Sequence, residues 1–174
     1  MRAPYQILYP LFSLFLVRVD LTDLKPMTMK VKILKVYDGD TVLVKKGFFE
    51  SKVRIAAIDA PESKQGFLSG KKGAGELSKR CLAKLLKPEA ELSIQGFDIY
   101  GRILGDLDGI SFKLIQQGCV SLYPHAKFES LKRKYEYLQA LNKAKREKRG
   151  LWAFGGIEQP KAWRKKNLRF RRRI

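Results

Sequence analysis

KVKILKVYDGDTVLVKKGFFESKVRIAAIDAPE, residues 30–62, is the stretch whose reading decides the fold. Lys30–Tyr37 places Val31 and Ile33 on alternate positions and then meets Asp38-Gly39, a tight-turn pair. Thr41–Val44 returns as a strand rich in β-branched residues. Lys45-Lys46-Gly47 reads as a second turn. A third strand covers Lys52 to Ile58, and Pro61 in Asp59-Ala60-Pro61-Glu62 ends its ladder because proline offers no amide proton. These residues form a three-stranded meander.

Moving outward, Ser63 to Gly75 mixes glycines with lysines and reads as a mobile basic loop. Ala74, Leu77, Cys81, Leu82 and Leu85 recur at helical spacing, so a helix is expected over Ala74–Lys87, stopped by Pro88. Strands follow at Glu91–Phe97 and Ile103–Leu107, joined by a turn at Asp98-Ile99-Tyr100-Gly101. Ser111–Gln117 reads as a short helix with Ser111 as N-cap and Gly118 as its stop. A longer amphipathic helix ends at Gly150, with Phe128, Leu131, Tyr135, Leu138 and Leu141 on its apolar face. Three strands, a helix, two strands and then helices is the order of an α+β protein, a five-stranded Greek-key β-barrel of OB type with about three helices. The expected boundaries are an apolar extension at 1–28, the barrel domain at 29–155 and a basic tail at 156–174. Lys161–Ile174 holds eight basic residues, no acidic ones, and Trp163 and Phe170, which predicts a flexible segment that tracks a polyanion.

Charge narrows the partners. Of 174 residues, 36 are Lys or Arg and 17 Asp or Glu, a net charge of +19 that draws polyanions to the surface. Nucleic acid is the first partner to consider and an anionic membrane the second. Cys81 sits on the apolar helical stripe, where a buried thiol is the leading reading; a Cys81–Cys119 bridge is the alternative if the protein is exported. Ile7 to Val17 has the length of a signal-peptide core and is short for a bilayer span. It can be a cleaved signal, an uncleaved membrane anchor, or an upstream extension, since Met27 and Met29 stand just before the first strand. Export or membrane association is therefore expected, and the cytoplasm if translation starts at Met27 or Met29. Nothing in the pattern calls for an obligate protein partner, and a monomer is expected.

A phosphodiester repels nucleophiles and carries a poor leaving group, so a catalyst needs cations around the phosphoryl oxygens and a means of activating water. His125 is the only histidine, which excludes a paired-histidine mechanism within one chain. Without Cys–His clusters, any metal must be held largely by oxygen, which favours calcium or magnesium. The placed carboxylates are Asp40, Asp59 and Glu62. Arg54 lies in the third strand and Arg102 follows the turn before the fifth. Singly, each has an ordinary explanation as a turn or surface residue.

In combination, Asp38-Gly39-Asp40-Thr41, Val53-Arg54-Ile55-Ala56-Ala57-Ile58-Asp59-Ala60-Pro61-Glu62 and Tyr100-Gly101-Arg102 resemble the staphylococcal nuclease (thermonuclease) family in order and spacing. The resemblance runs from about Lys30 to Trp152. It implies that Asp40 and Asp59 are calcium ligands, joined by the backbone carbonyl of Ala60, where the family commonly has threonine. It implies that Glu62 is the general base and that Arg54 and Arg102 grip the phosphoryl oxygens. Tyr100 matches a family tyrosine near the phosphate. Tyr123 is either a second, packing beside a base, or a core residue. Lys71 and Lys72 are substrate contacts by location and charge alone. The implied activity is a calcium-dependent nuclease acting on DNA and RNA with little sequence specificity and leaving 3′-phosphates. Its rival is a non-catalytic nucleic-acid-binding barrel, for which three carboxylates facing a polyanion would be a liability.

Overall fold

A computed structural model describes residues 27–171. The strands are β1 (Met27–Val36), β2 (Thr41–Lys46), β3 (Phe49–Ile55), β4 (Ile58–Asp59), β5 (Glu89–Phe97), β6 (Ile103–Leu107) and β7 (Ser121–Leu122). The helices are α1 (Ala74–Leu85), α2 (Ile110–Gln116), α3 (Leu131–Arg146) and α4 (Pro160–Arg171), with a 3-10 turn at Gly150–Phe154 before the last. Five strands close a barrel in the order β1-β2-β3-β6-β5. All its pairings are antiparallel except β3 with β6, where Val53 faces Ile103 and Arg54 faces Leu104 in parallel register. Val42, Val44, Val53, Ile55, Leu92 and Leu107 point inward and are fully or almost fully buried. The alternation that the meander predicts is therefore the barrel interior.

β1 starts three residues before Lys30, with Met27 opposite Ile94 and Met29 opposite Leu92. Both methionines are strand residues rather than a preface to the fold. The third strand is also not continuous to Ile58. It breaks after Ile55, Ala57 takes a left-handed conformation (φ 65°), and Ile58–Asp59 pairs instead with β7. That break turns Asp59 back toward β2.

In α2, Gly109 rather than Ser111 holds the cap position. Ser111 is buried inside the first turn, where its Oγ donates to Asp106 Oδ2 at 2.7 Å and lies 2.6 Å from the Tyr137 hydroxyl. Asp106 Oδ1 takes the Ser111 amide at 3.0 Å, so the capping carboxylate comes from β6. Ser130 caps α3 by accepting from the Arg133 amide. The buried face of α3 is Tyr137, Leu141 and Ala144, whereas Leu131 is 86% and Tyr135 62% exposed. Ala140 and Ala144 let α3 approach closely, and Tyr137 fills the gap between Phe112 and Phe128. Leu141 and Phe128 of the expected stripe do face the core, but Leu131, Tyr135 and Leu138 do not, and Tyr137, Ala140 and Ala144 complete the face in their place.

Two glycines fasten the C-terminal elements to the barrel domain. A β-carbon at Gly118 would lie 2.4 Å from the Arg149 carbonyl oxygen, and one at Gly150 would lie 2.6 Å from that of Gly118. The Leu151 amide donates to Gly118 O at 2.8 Å across this contact. Nearby, Cys81 of α1 and Cys119 are joined in a disulfide, so the buried-thiol reading of Cys81 gives way to the bridge. The bridge closes a loop with a sequence separation of 38, a constraint of about 4 kcal/mol on the unfolded chain. Replacing both cysteines by alanine is expected to lower the unfolding free energy by about that amount. Guanidinium titration of the oxidised parent and the double variant checks this.

The loop from Ser63 to Gly75 is anchored rather than free. The Leu68 amide donates to Gly156 O at 2.9 Å, and Phe67 packs on Phe154 with centroids 4.7 Å apart. The basic tail is likewise not an irregular segment: it forms α4. Pro160 sits at its first turn, where a missing amide proton is harmless, and lysine, alanine and arginine propagate it. Residues 7–17 lie outside those described. Among the described residues no helix is long and apolar enough to cross a membrane.

Candidate active site

The site lies outside the barrel wall at the end of β3. Val53 and Ile55 point inward, so Arg54 between them points out. Asp40 reaches the same place from the turn before β2. Gly39 is obligatory there, because a β-carbon would come within 2.0 Å of Ser78 Oγ on α1 and 2.8 Å of the Ala60 β-carbon. The turn is locked by the Asp40 amide donating to Asp38 Oδ1 at 3.0 Å. Asp59 and Ala60 return to it after the break at Ala57.

Three of the groups singled out by sequence meet directly. Arg54 Nη1 pairs with Asp40 Oδ2, and Nη2 donates to Asp59 Oδ1 at 3.0 Å. The Ala60 amide donates to Asp40 Oδ2 at 2.8 Å, and Thr41 Oγ1 donates to Asp40 Oδ1 at 3.0 Å. One guanidinium thus bridges two buried carboxylates. Burial pushes the Asp40 carboxyl up to about 7 against the downward pull of Arg54. Burial also raises Asp59, with Arg164 and Arg54 opposing it.

Glu62 joins this cluster through a residue that sequence reading did not single out. Arg164 of α4 donates from Nη1 to Glu62 Oε1, and its Nη2 lies 3.3 Å from Asp59 Oδ1. Gln65 fixes both partners. Its Oε1 accepts from the Glu62 amide at 3.2 Å, and its Nε2 donates to Glu158 O at 2.6 Å just before α4. The one available signal was Pro160 ahead of a run of strong helix formers, which marks a helix start but not where the helix docks.

The remaining candidates stand apart. Arg102 Nε donates to Asp98 Oδ2 at 2.7 Å, and its guanidinium lies 5.7 Å from the Tyr100 ring centroid. Burial works upward on Asp98, but hydrogen bonds from Arg102 and the Tyr100 amide outweigh it and hold the carboxyl below its ordinary value. Arg102 directly precedes β6, which runs beside β3, so it flanks the Arg54 face without pairing with Asp40 or Asp59. Tyr100 is 78% exposed. Tyr123 is half-buried, its amide donating to Ala57 O at 2.9 Å and its ring edge-on to His125, so it is not a core residue. His125 is a loop residue with Lys161 Nζ at 3.1 Å. Lys71 rests 5.5 Å over the Phe154 ring and Lys72 is exposed. Among the described residues neither lysine pairs with the carboxylates.

Among the described residues no three His, Cys, Asp or Glu side chains are grouped as a ready-made metal centre. The two aspartates supply oxygen only, and Asp59 Oδ2 is buried without a hydrogen-bond partner. An unpartnered buried carboxylate oxygen beside a second carboxylate suits a calcium-like ion, completed by backbone carbonyl and water.

A closed five-stranded barrel with an acid–arginine cluster on its outer wall defines an α+β protein of OB type. Residues 52–154 match the family model described as staphylococcal nuclease homologue. The chain is 32% identical over 140 residues to an uncharacterized endonuclease of Haemophilus influenzae, covering 77% of this chain and 72% of that one. It is 29% identical over 148 residues to a micrococcal nuclease of Shigella flexneri, covering 77% and 79%. The chain belongs to the staphylococcal nuclease family. α4 and Arg164 lie beyond residues 52–154, which the family model matches.

Proposed function

We propose that this protein is a calcium-dependent nuclease that hydrolyses DNA and RNA with little sequence specificity and leaves 3′-phosphate ends. The observation that carries the reading is the bridge of Arg54 between the buried Asp40 and Asp59, with Glu62 brought to the same place. A module that only binds nucleic acid gains nothing from burying carboxylates where a polyanion approaches.

Asp40, Asp59 and the Ala60 carbonyl would hold the ion, which when bound supplies positive charge to the phosphoryl oxygens. Glu62 accepts the proton of the attacking water at Oε. Water oxygen bonds to phosphorus, the bond from phosphorus to the 5′-oxygen breaks, and that oxygen takes a proton from solvent. Arg54 and Arg102 donate to the nonbridging oxygens and stabilise the charge that accumulates on them. Tyr100, Tyr123, Lys71 and Lys72 line the approach as substrate contacts. The Cys81–Cys119 bridge supports an oxidising compartment, in keeping with export.

The test is cleavage of single-stranded DNA with added calcium, against EDTA and against magnesium. Cutting that requires calcium supports the reading. Tight binding without cutting in either ion would make the protein a binding module.

A pH dependence follows from Asp40. Its carboxyl sits at about 7, so below that pH it carries a proton that must leave before an ion binds. Calcium affinity is expected to rise about tenfold from pH 6 to pH 8 and then level off, with proton release on binding at the acid end. Calorimetry in buffers of different ionisation enthalpy reads both quantities. Affinity that is flat across this range would count against Asp40 as a ligand.

A further inference from the structure

Arg164 engages the groups on which the proposed reaction depends. Its Nη1 donates to Glu62, and its Nη2 shares Asp59 Oδ1 with Arg54. The cluster therefore sets three carboxylates against two guanidiniums, and Arg164 is the more exposed of the two. A divalent ion at Asp59 would repel the nearby guanidinium and take over its acceptor. Released from Asp59, Arg164 could not travel far. Pro160 is buried, Gln65 holds Glu158 O at 2.6 Å, and the Leu68 amide holds Gly156 O at 2.9 Å. A planar fork whose two donors, Nη1 and Nη2, are kept over the site matches two oxygens of a phosphate. Up to Asn167, α4 adds Lys161, Lys165 and Lys166 and no acidic side chain.

We propose that Arg164 is a third phosphate-gripping arginine of the site, resting on Glu62 and Asp59 as seen here and passing to the substrate phosphate once a cation binds at Asp59. The proposal rests on the nuclease reading and adds to it a residue from outside the family match. It makes cation and nucleic acid cooperate through one side chain. The ion takes the Asp59 acceptor from Nη2, and the phosphate then draws the fork, Nη1 included, away from Glu62.

The test compares the full-length parent with Arg164→Ala and Arg164→Lys. Calcium chloride is titrated calorimetrically without nucleic acid. Cleavage of a short single-stranded oligodeoxythymidylate is then measured in saturating calcium. Arg164→Ala should bind calcium about tenfold more tightly, since a competing positive charge is gone. It should also raise KM about tenfold, with kcat within about threefold of the parent. The reason is that Arg164 meets the phosphate equally in ground and transition states, whereas Arg54 meets the charge that builds in the transition state. Arg164→Lys should return calcium affinity toward the parent while recovering only part of KM, because an ammonium lacks the fork. Unchanged calcium affinity, or unchanged KM, in folded Arg164→Ala overturns the proposal and leaves the nuclease reading standing. If far-UV circular dichroism shows that Arg164→Ala has lost helix, the Lys variant decides: parental KM overturns the proposal. A parent that neither binds calcium nor cuts would overturn both.

Discussion

Arg54→Ala is expected to slow cleavage by about 10³–10⁵, the range seen when a positioned arginine is removed from phosphoryl-transfer enzymes. A second effect should separate it from an ordinary substrate contact. Arg54 neutralises Asp40 and Asp59, whose side chains are 9% and 0% exposed, so its removal leaves two like charges buried together. Breaking such a cluster destabilises a fold by about 3 kcal/mol or more, although a proton on Asp40 can offset part of this. Arg54→Ala should therefore unfold at lower denaturant without calcium and recover part of that loss when calcium is added. Arg54→Lys keeps a charge but cannot reach both aspartates as one fork, so it should rescue stability better than rate. An Arg54→Ala protein with parental stability and turnover within about tenfold of the parent would remove this residue from the mechanism.

Glu62→Gln is expected to lower kcat by about 10²–10⁴, because the amide keeps the shape and the hydrogen bond to Arg164 but cannot take a proton. Stability should hardly change. The Glu62 side chain is 37% exposed and its partner Arg164 38%, so their ion pair is partly hydrated and contributes little to folding. A rate loss with unaltered unfolding would thus identify chemistry rather than damage. Single-turnover cleavage beside thermal unfolding makes the distinction. Parental single-turnover rates in Glu62→Gln would rule out Glu62 as the base.

The barrel was legible because its strands alternate and its turns are punctuated. Val42, Val44, Val53 and Ile55 fall on the inner face as period two requires, and Asp38-Gly39 turns where expected. The β2–β3 hairpin sets Thr41 opposite Arg54 and so brings Asp40 beside it, but the addition of Asp59 to that pair was legible only through resemblance. Ala57 shows why: its left-handed backbone folds Asp59 back, and an alanine in sequence gives no hint of a positive φ. Only Phe128 and Leu141 of the expected α3 face pack on the core, because leucines outrank alanines on any hydropathy scale while close helix packing selects the small residue. Arg164 was not legible in place. Composition marked the tail as basic, but its docking depends on Gln65, a single buried amide distant in sequence.

The parallel seam between β3 and β6 has an architectural consequence. Parallel neighbours cannot be joined by a tight turn, so the chain must leave the barrel after Ile55 on a long excursion, re-enter it at Glu89 as β5, and reach β6 from there by an antiparallel turn. Asp59 and Glu62 stand at the departure, and Arg102 stands in the turn that leads from β5 into β6. The loop holding Lys71 and Lys72 occurs within the excursion, away from both ends. Insertions there can lengthen or reshape the surface over the site while leaving every barrel register unchanged. One barrel can in this way carry a constant reactive edge beneath an interchangeable cover.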